Sequence, residues 1–300
     1  RTNLYVHWDH LELEKENYDW RVTDIMMKLN DKYNLKTTLF FSVVNADRLG
    51  PFPLWMGNQI IGKTLEDDTI RVLDEILSRY ENIDYVIFGA DIDYHFQRAS
   101  GSIPNYVEFF NGVSTEIKFK HPQVKIGNSM SLENILNKGM EPGGTFELTP
   151  QLEMGDFIAL SYKPTDPVGD INKTPREAME DFKKALEIFP SHQLGFFEIS
   201  WSTSDFVYGN SADQKQFIKS SLNFFEENES KIEFFTISRL FDKPKGDCVS
   251  QDIEKIEGSG FASNTYRLER IDEYLCNSGL IDKNENPKPS WTQLKTNIPQ

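Results

Sequence analysis

Short apolar runs rich in β-branched and aromatic residues alternate along the chain with longer stretches of helical period. Seven such runs stand out: Leu4–Trp8, Thr37–Val44, Tyr85–Ala90, Val124–Gly127, Phe157–Tyr162, Gly195–Ile199 and Ile232–Leu240. Between them apolar positions recur every three or four residues over Val22–Tyr33, Leu65–Arg79, Val107–Lys118, Pro175–Ile188 and Asp213–Glu226, with a weaker pattern over Ser131–Lys138. Repeated strand-then-helix alternation predicts βαβ units and a parallel sheet. Runs apolar at every position, such as Tyr85-Val86-Ile87-Phe88, suit strands covered on both faces. Clustered Pro, Gly and Asp mark Pro164–Pro175 and Asp242–Gly260 as the long loops. No internal repeat, low-complexity tract or domain boundary interrupts the pattern, which predicts one domain over residues 1–300.

The residues at the strand ends narrow the class. No GxGxxG and no GxxxxGK[ST] turn is present, so a doubly wound nucleotide-binding sheet is disfavoured, as is a nucleotide- or flavin-dependent barrel. Polar and aromatic residues stand at the strand ends instead: His7-Trp8-Asp9, Asp91-Ile92-Asp93-Tyr94, Tyr162-Lys163-Pro164 and Glu198-Ile199-Ser200-Trp201. In a (β/α)8 barrel the chemistry collects at the C-terminal strand ends. The expected fold is therefore α/β, a (β/α)8 TIM barrel.

Composition changes this picture only at the margins. Thirty-two Lys and Arg against 47 Asp and Glu leave a formal net charge of −15, which argues against nucleic acid and anionic membrane surfaces as partners. The longest apolar runs are strand-sized, so no membrane insertion is expected, and no signal peptide is visible. Aromatic residues make up 13% of the chain. Most of the Phe suit a core, whereas Trp or Tyr at a strand end can stack on the apolar face of a sugar ring. Cys248 and Cys276 lie in no CxxC or Cys/His cluster, so no metal site is expected, and their spacing leaves open whether they pair. Asn172-Lys173-Thr174 and Asn228-Glu229-Ser230 match the glycosylation triplet, which also arises often by chance.

Two strand-end carboxylates carry the candidate chemistry, Asp91 and Glu198. Glycoside hydrolysis needs one carboxylic acid to protonate the leaving oxygen and one carboxylate to attack the anomeric carbon or activate water. Such a pair is expected from Asp91 and Glu198, against the plainer alternative of two exposed acids at loop starts.

The same residues resemble a family. Leu4-Tyr5-Val6-His7-Trp8-Asp9-His10-Leu11-Glu12, followed by Tyr18-Asp19-Trp20, looks like the second strand of the clan A (β/α)8-barrel glycoside hydrolases. Phe88-Gly89-Ala90-Asp91-Ile92-Asp93-Tyr94 resembles their fourth-strand motif, and Phe197-Glu198-Ile199-Ser200-Trp201-Ser202 their seventh. Ser211–Ile218 resembles the helix after that strand, Phe234–Asp242 the eighth strand, and Gly279-Leu280-Ile281-Asp282 with Pro287-Lys288-Pro289-Ser290-Trp291 the closing segment. The resemblance keeps the family's order over nearly the whole chain. It makes the visible strands the second to the eighth and places the first upstream of Arg1.

The resemblance implies a retaining hydrolase of a β-linked poly- or oligosaccharide, without cofactor, at the cell surface or outside the cell. Glu198 stands at the nucleophile position and Asp91 at the acid/base position. Expected around them are Tyr162, donating a hydrogen bond to Glu198, the stacking candidates Trp8 and Trp201, and His7 with His10 near the ligand. Arg239 is expected either to meet the sugar or to pair with a neighbouring acid, and Asp93 to hold its loop. The departure is Ala90-Asp91 where the family has Asn-Glu. Ala90 cannot bond the sugar 2-hydroxyl, and Asp is one methylene shorter than Glu, which draws the acid back by about 1–1.5 Å. A misplacement of about 1 Å can lower a rate about a hundredfold. A catalytically impaired barrel serving as a carbohydrate-binding or structural cell-surface module is therefore the alternative.

Overall fold

The structure, a computed structural model, describes residues 1–137, 144–249 and 265–297. Seven main strands alternate with helices in chain order: β1 (Thr2–Val6), α1 (Arg21–Lys32), β2 (Thr37–Asn45), α2 (Lys63–Arg79), β3 (Ile83–Ala90), α3 (Ile103–Lys120) and β4 (Lys125–Ser131). After β4 come two short helices, Leu132–Leu136 within the weak helical pattern and Thr149–Leu152, then β5 (Phe157–Tyr162), α4 (Pro175–Ile188), β6 (Leu194–Ile199), α5 (Ser211–Glu227), β7 (Ile232–Ile237), α6 (Thr265–Cys276) and α7 (Pro289–Asn297). In the sheet the strands keep chain order from β1 to β7, with the two-residue strand Arg48–Leu49 pairing antiparallel off β2. Sequential strands joined through helices give the progression of a (β/α)8 barrel. No helix among the described residues is long and apolar enough to cross a membrane.

Chain contacts divide these elements into two compact units. The first holds Arg1–Ser161 and Ser191–Phe197. Here β1 to β5 pair in parallel, with Leu4 opposite Leu39, Val86 opposite Ile126, and Ser131 opposite Ser161. Parallel strands covered on both faces read as continuous apolar runs, and β2 is buried from Thr37 to Val44. The strand-end runs differ in detail from their expected bounds. β4 continues to Ser131, and β1 stops at Val6 because the His7 carbonyl accepts from the His10 and Leu11 amides and starts a helical turn over Trp8–Leu11. Gly89 lets β3 lie close to α3. A Cβ there would come within 2.5 Å of the Tyr106 hydroxyl, which bonds Asn128 Oδ1 on β4 at 2.6 Å.

The second unit holds Tyr162–Pro190 and Glu198–Gln300. α4 starts where the sequence pattern places it, because Thr174 and Glu177 form a capping box ahead of Pro175. Its Phe182 ring lies 5.0 Å from Tyr162 and 5.5 Å from Phe224, so α4 and α5 share one apolar seam. Burying each such ring stabilises the unit by roughly 2 kcal/mol. α6 and α7 fall outside the predicted helices. α7 locks onto α5 through Ser290 Oγ, which bonds Gln214 Oε1 at 2.5 Å, while Gln214 Nε2 donates to the Trp201 and Gly279 carbonyls. Cys248 and Cys276 form a disulfide with their Cα atoms 5.5 Å apart. The expected loop Asp242–Gly260 is described only as far as residue 249, and Lys138 of the weak helical pattern lies outside the described residues.

Candidate active site

In the first unit Asp91, directly after β3, and Asp93, in the first turn of the following helix, lie in two different environments. Asp91 comes directly after β3 with φ 48° and ψ 41°, and the helix Ile92–Arg98 starts after it. A left-handed non-glycine residue costs roughly 1–2 kcal/mol, so contacts must hold it there. They come from the next two strand ends: Ser161 Oγ on β5 donates to Asp91 Oδ1 at 2.7 Å, and Ser129 Oγ on β4 to the same oxygen at 3.3 Å. Asp91 itself stays half-buried.

Asp93 is fully buried. Its carboxylate accepts from the Ser131 amide at 2.8 Å, Asn134 Nδ2 at 2.7 Å and Thr145 Oγ1 at 2.9 Å. Burial first, and the neighbouring Asp91 charge second, push its carboxyl up to about 7, against the three donors. Asp93 thus ties the end of β4 to Asn134 and Thr145.

His7, at the end of β1, is half-buried, with its ring 6.0 Å from that of the exposed His10. Burial holds its imidazole below the ordinary histidine value. Trp8 is not a stacking surface. It is 0% exposed, its ring lies 4.9 Å from Phe41 and 5.7 Å from Phe52, and Nε1 donates to Glu12 Oε2 at 2.7 Å. Glu12 is itself buried and paired with Arg71 at 2.6 Å, and Arg71 also reaches the Tyr18 hydroxyl. This network fastens the Glu12–Glu14/Asn17–Tyr18 hairpin to α2.

In the second unit Glu198 is half-buried, next to last in β6. The strand end is fixed on both sides: the Ser200 amide donates to the Tyr162 carbonyl at 3.1 Å, and the Ser238 amide to the Ile199 carbonyl at 2.8 Å. Tyr162 does not serve as the expected donor to Glu198. Its ring lies 5.0 Å from Phe182 and 6.4 Å from Phe217, on the side of α4 and α5, and its hydroxyl donates to Asp181 at 2.9 Å. Trp201 is likewise 1% exposed, packed 5.2 Å from Phe217, and is core rather than platform. Among the described residues Arg239 is paired with no neighbouring acid. Its Nη1 donates to the Leu275 carbonyl at 3.1 Å and lies 2.9 Å from Cys248 Sγ, tying β7's exit to α6.

Among the described residues, one group of potential metal ligands converges, Cys248, Asp272 and Cys276. The two sulfurs are joined, and the Asp272 carboxylate accepts from the Gly246, Cys248 and Val249 amides at 2.6, 3.1 and 3.1 Å. The arrangement is a loop clasp.

Sequence reasoning missed Ser129 and Ser161. Their signal is faint: Ser161 is a single serine near the end of a largely apolar strand, and Ser129 is one of several polar residues in β4. Only strand pairing brings them to Asp91, from 38 and 70 residues away.

Strand order and connecting helices define the class: this is a (β/α)8 fold. No protein-family model and no curated protein matches the chain. Among solved structures, GH5_18 of Bifidobacterium longum in complex with Manb1-4GlcNAc superposes with a TM-score of 0.68 at 11% identity, over 98% of this chain and 68% of that one. Native xylanase 10B of Thermotoga maritima gives 0.59 at 12% identity, over 99% and 86%. A family 39 glycoside hydrolase of Bacteroides cellulosilyticus gives 0.60 at 12% identity, over 96% and 56%. At these identities the likeness is one of fold.

Proposed function

We propose that the chain is a glycoside hydrolase acting with retention on a β-linked poly- or oligosaccharide. Glu198 is the nucleophile and Asp91 the acid/base. The observation that carries the reading is that each carboxylate stands, half-buried, at the C-terminal end of a strand, where this fold keeps its chemistry. Asp91 protonates the leaving oxygen while Glu198 attacks the anomeric carbon, and Asp91 then takes a proton from the water that releases the sugar. The Cys248–Cys276 disulfide fits an oxidising, extracellular or cell-surface location.

One observation favours the alternative, a carbohydrate-binding module without turnover: Ala90 offers no donor to a sugar 2-hydroxyl. The two readings separate on a panel of aryl β-mannosides, β-xylosides, β-glucosides and β-glucuronides. Hydrolysis by the wild type, abolished by Glu198→Gln and with the β-anomer as first product by NMR, supports the hydrolase. Turnover surviving Glu198→Gln removes the nucleophile assignment. An inactive wild type that still binds glycans leaves the binding module.

A further inference from the structure

Asp91 is held on one side only. Both serine hydroxyls donate to Oδ1, at 2.7 Å from Ser161 and 3.3 Å from Ser129, and both serines are buried. Neither has another hydrogen-bond acceptor among the described residues. No bond to Oδ2 is made there either, and the side chain remains partly open to solvent.

We propose that Ser129 and Ser161 are positioning residues that make Asp91 a one-sided proton donor, with Oδ1 fixed by the protein and Oδ2 carrying the proton. The inference rests on the hydrolase reading and assigns the geometry of its acid. An oxygen that accepts two hydroxyl bonds is favoured as the carbonyl oxygen of the neutral acid, which leaves the O–H on Oδ2. In the first step the Oδ2–H bond breaks, the proton goes to the glycosidic oxygen, and the C–O bond pair leaves with that oxygen. The charge left on the carboxylate is met at once by the two serine hydroxyls, so they stabilise the state after transfer more than the state before it. In the second step Oδ2 takes a proton from water as the water oxygen bonds the anomeric carbon and Glu198 is released. The clamp also offsets the short side chain: the left-handed backbone at Asp91 and the two serines set the position of the carboxyl where a longer Glu would rely on reach.

The test uses two substrates with one glycone, a dinitrophenyl glycoside that leaves without protonation and a methylphenyl glycoside that needs it. Ser161→Ala is expected to lower kcat/KM on the methylphenyl substrate roughly 10- to 100-fold and to leave the dinitrophenyl substrate within about threefold. Ser161→Thr, which keeps the hydroxyl, should restore most of the loss, and Ser129→Ala, with the longer contact, should give a smaller effect of the same kind. Equal loss on both substrates, the mark of a merely structural serine, overturns the proposal, as does no loss on either. A wild type that hydrolyses neither substrate overturns the hydrolase reading and the donor role with it. The clamp itself is then judged separately from the Asp91 carboxyl 13C resonance. Movement of that resonance on Ser161→Ala, with that of Asp93 in place, upholds the clamp, and an unmoved resonance overturns it.

Discussion

Replacing Asp93 by Asn should change how stability depends on pH. Asp93 is fully buried, and its carboxyl is pushed up from 3.8 to about 7, chiefly by burial and then by Asp91. The unfolded chain returns it to its ordinary value, a shift of about 3 units, and each unit corresponds to about 1.4 kcal/mol. The folded state therefore holds a proton that the unfolded state has lost between about pH 4 and pH 7. Stability falls with rising pH wherever the folded state binds more protons. The contribution is fully present below pH 4, is lost as the pH rises towards 7, and amounts at most to about 4 kcal/mol. Asn does not titrate. Its amide also brings donors against the Ser131 amide, Asn134 and Thr145, a penalty that is constant with pH. The assay is urea unfolding of wild type and Asp93→Asn in steps from pH 4 to pH 8. The wild type's stability relative to the variant should decline over that window and level off above pH 7. Parallel curves would refute the reasoning. A relative stability that grows with pH would mean that the three donors, not burial, set the ionisation.

Removing Arg71 leaves Glu12 buried without its cation, so Arg71→Ala should destabilise by about 3 kcal/mol in chemical unfolding. Tyr162→Phe should lower stability by about 1 kcal/mol through the lost bond to Asp181 while leaving glycoside hydrolysis and glycan binding unchanged; a large loss of either would return Tyr162 to the site. Cys276→Ser opens a crosslink spanning 28 residues and should reduce stability by about 3–4 kcal/mol, measured against the wild type under oxidising conditions.

The repeating units were legible in the chain's own pattern. A run such as Phe157–Tyr162 and a patterned stretch such as Pro175–Ile188 carry their own periodicity and, in the second case, their own cap, and both elements keep those bounds. Local signals failed where a neighbour from elsewhere decides. Trp8 and Trp201 stand at strand ends, where an aromatic can face ligand or core. Phe41, Phe52 and Phe217, brought up by other elements, made both of them core. Arg239 shows the same dependence, since its partners are a carbonyl and a sulfur delivered by the segment after β7.

The sequence by itself determined the strand–helix progression and the placing of two acids, Asp91 and Glu198, at strand ends, because periodicity and strand termination are properties of contiguous residues. Tertiary structure alone decided the chemical surroundings of the acids. Asp93 became a buried tie and Asp91 a half-open group clamped on one oxygen, because burial and hydrogen-bond donors come from residues distant in the chain, and for Asp91 pairing register sets which side chain arrives.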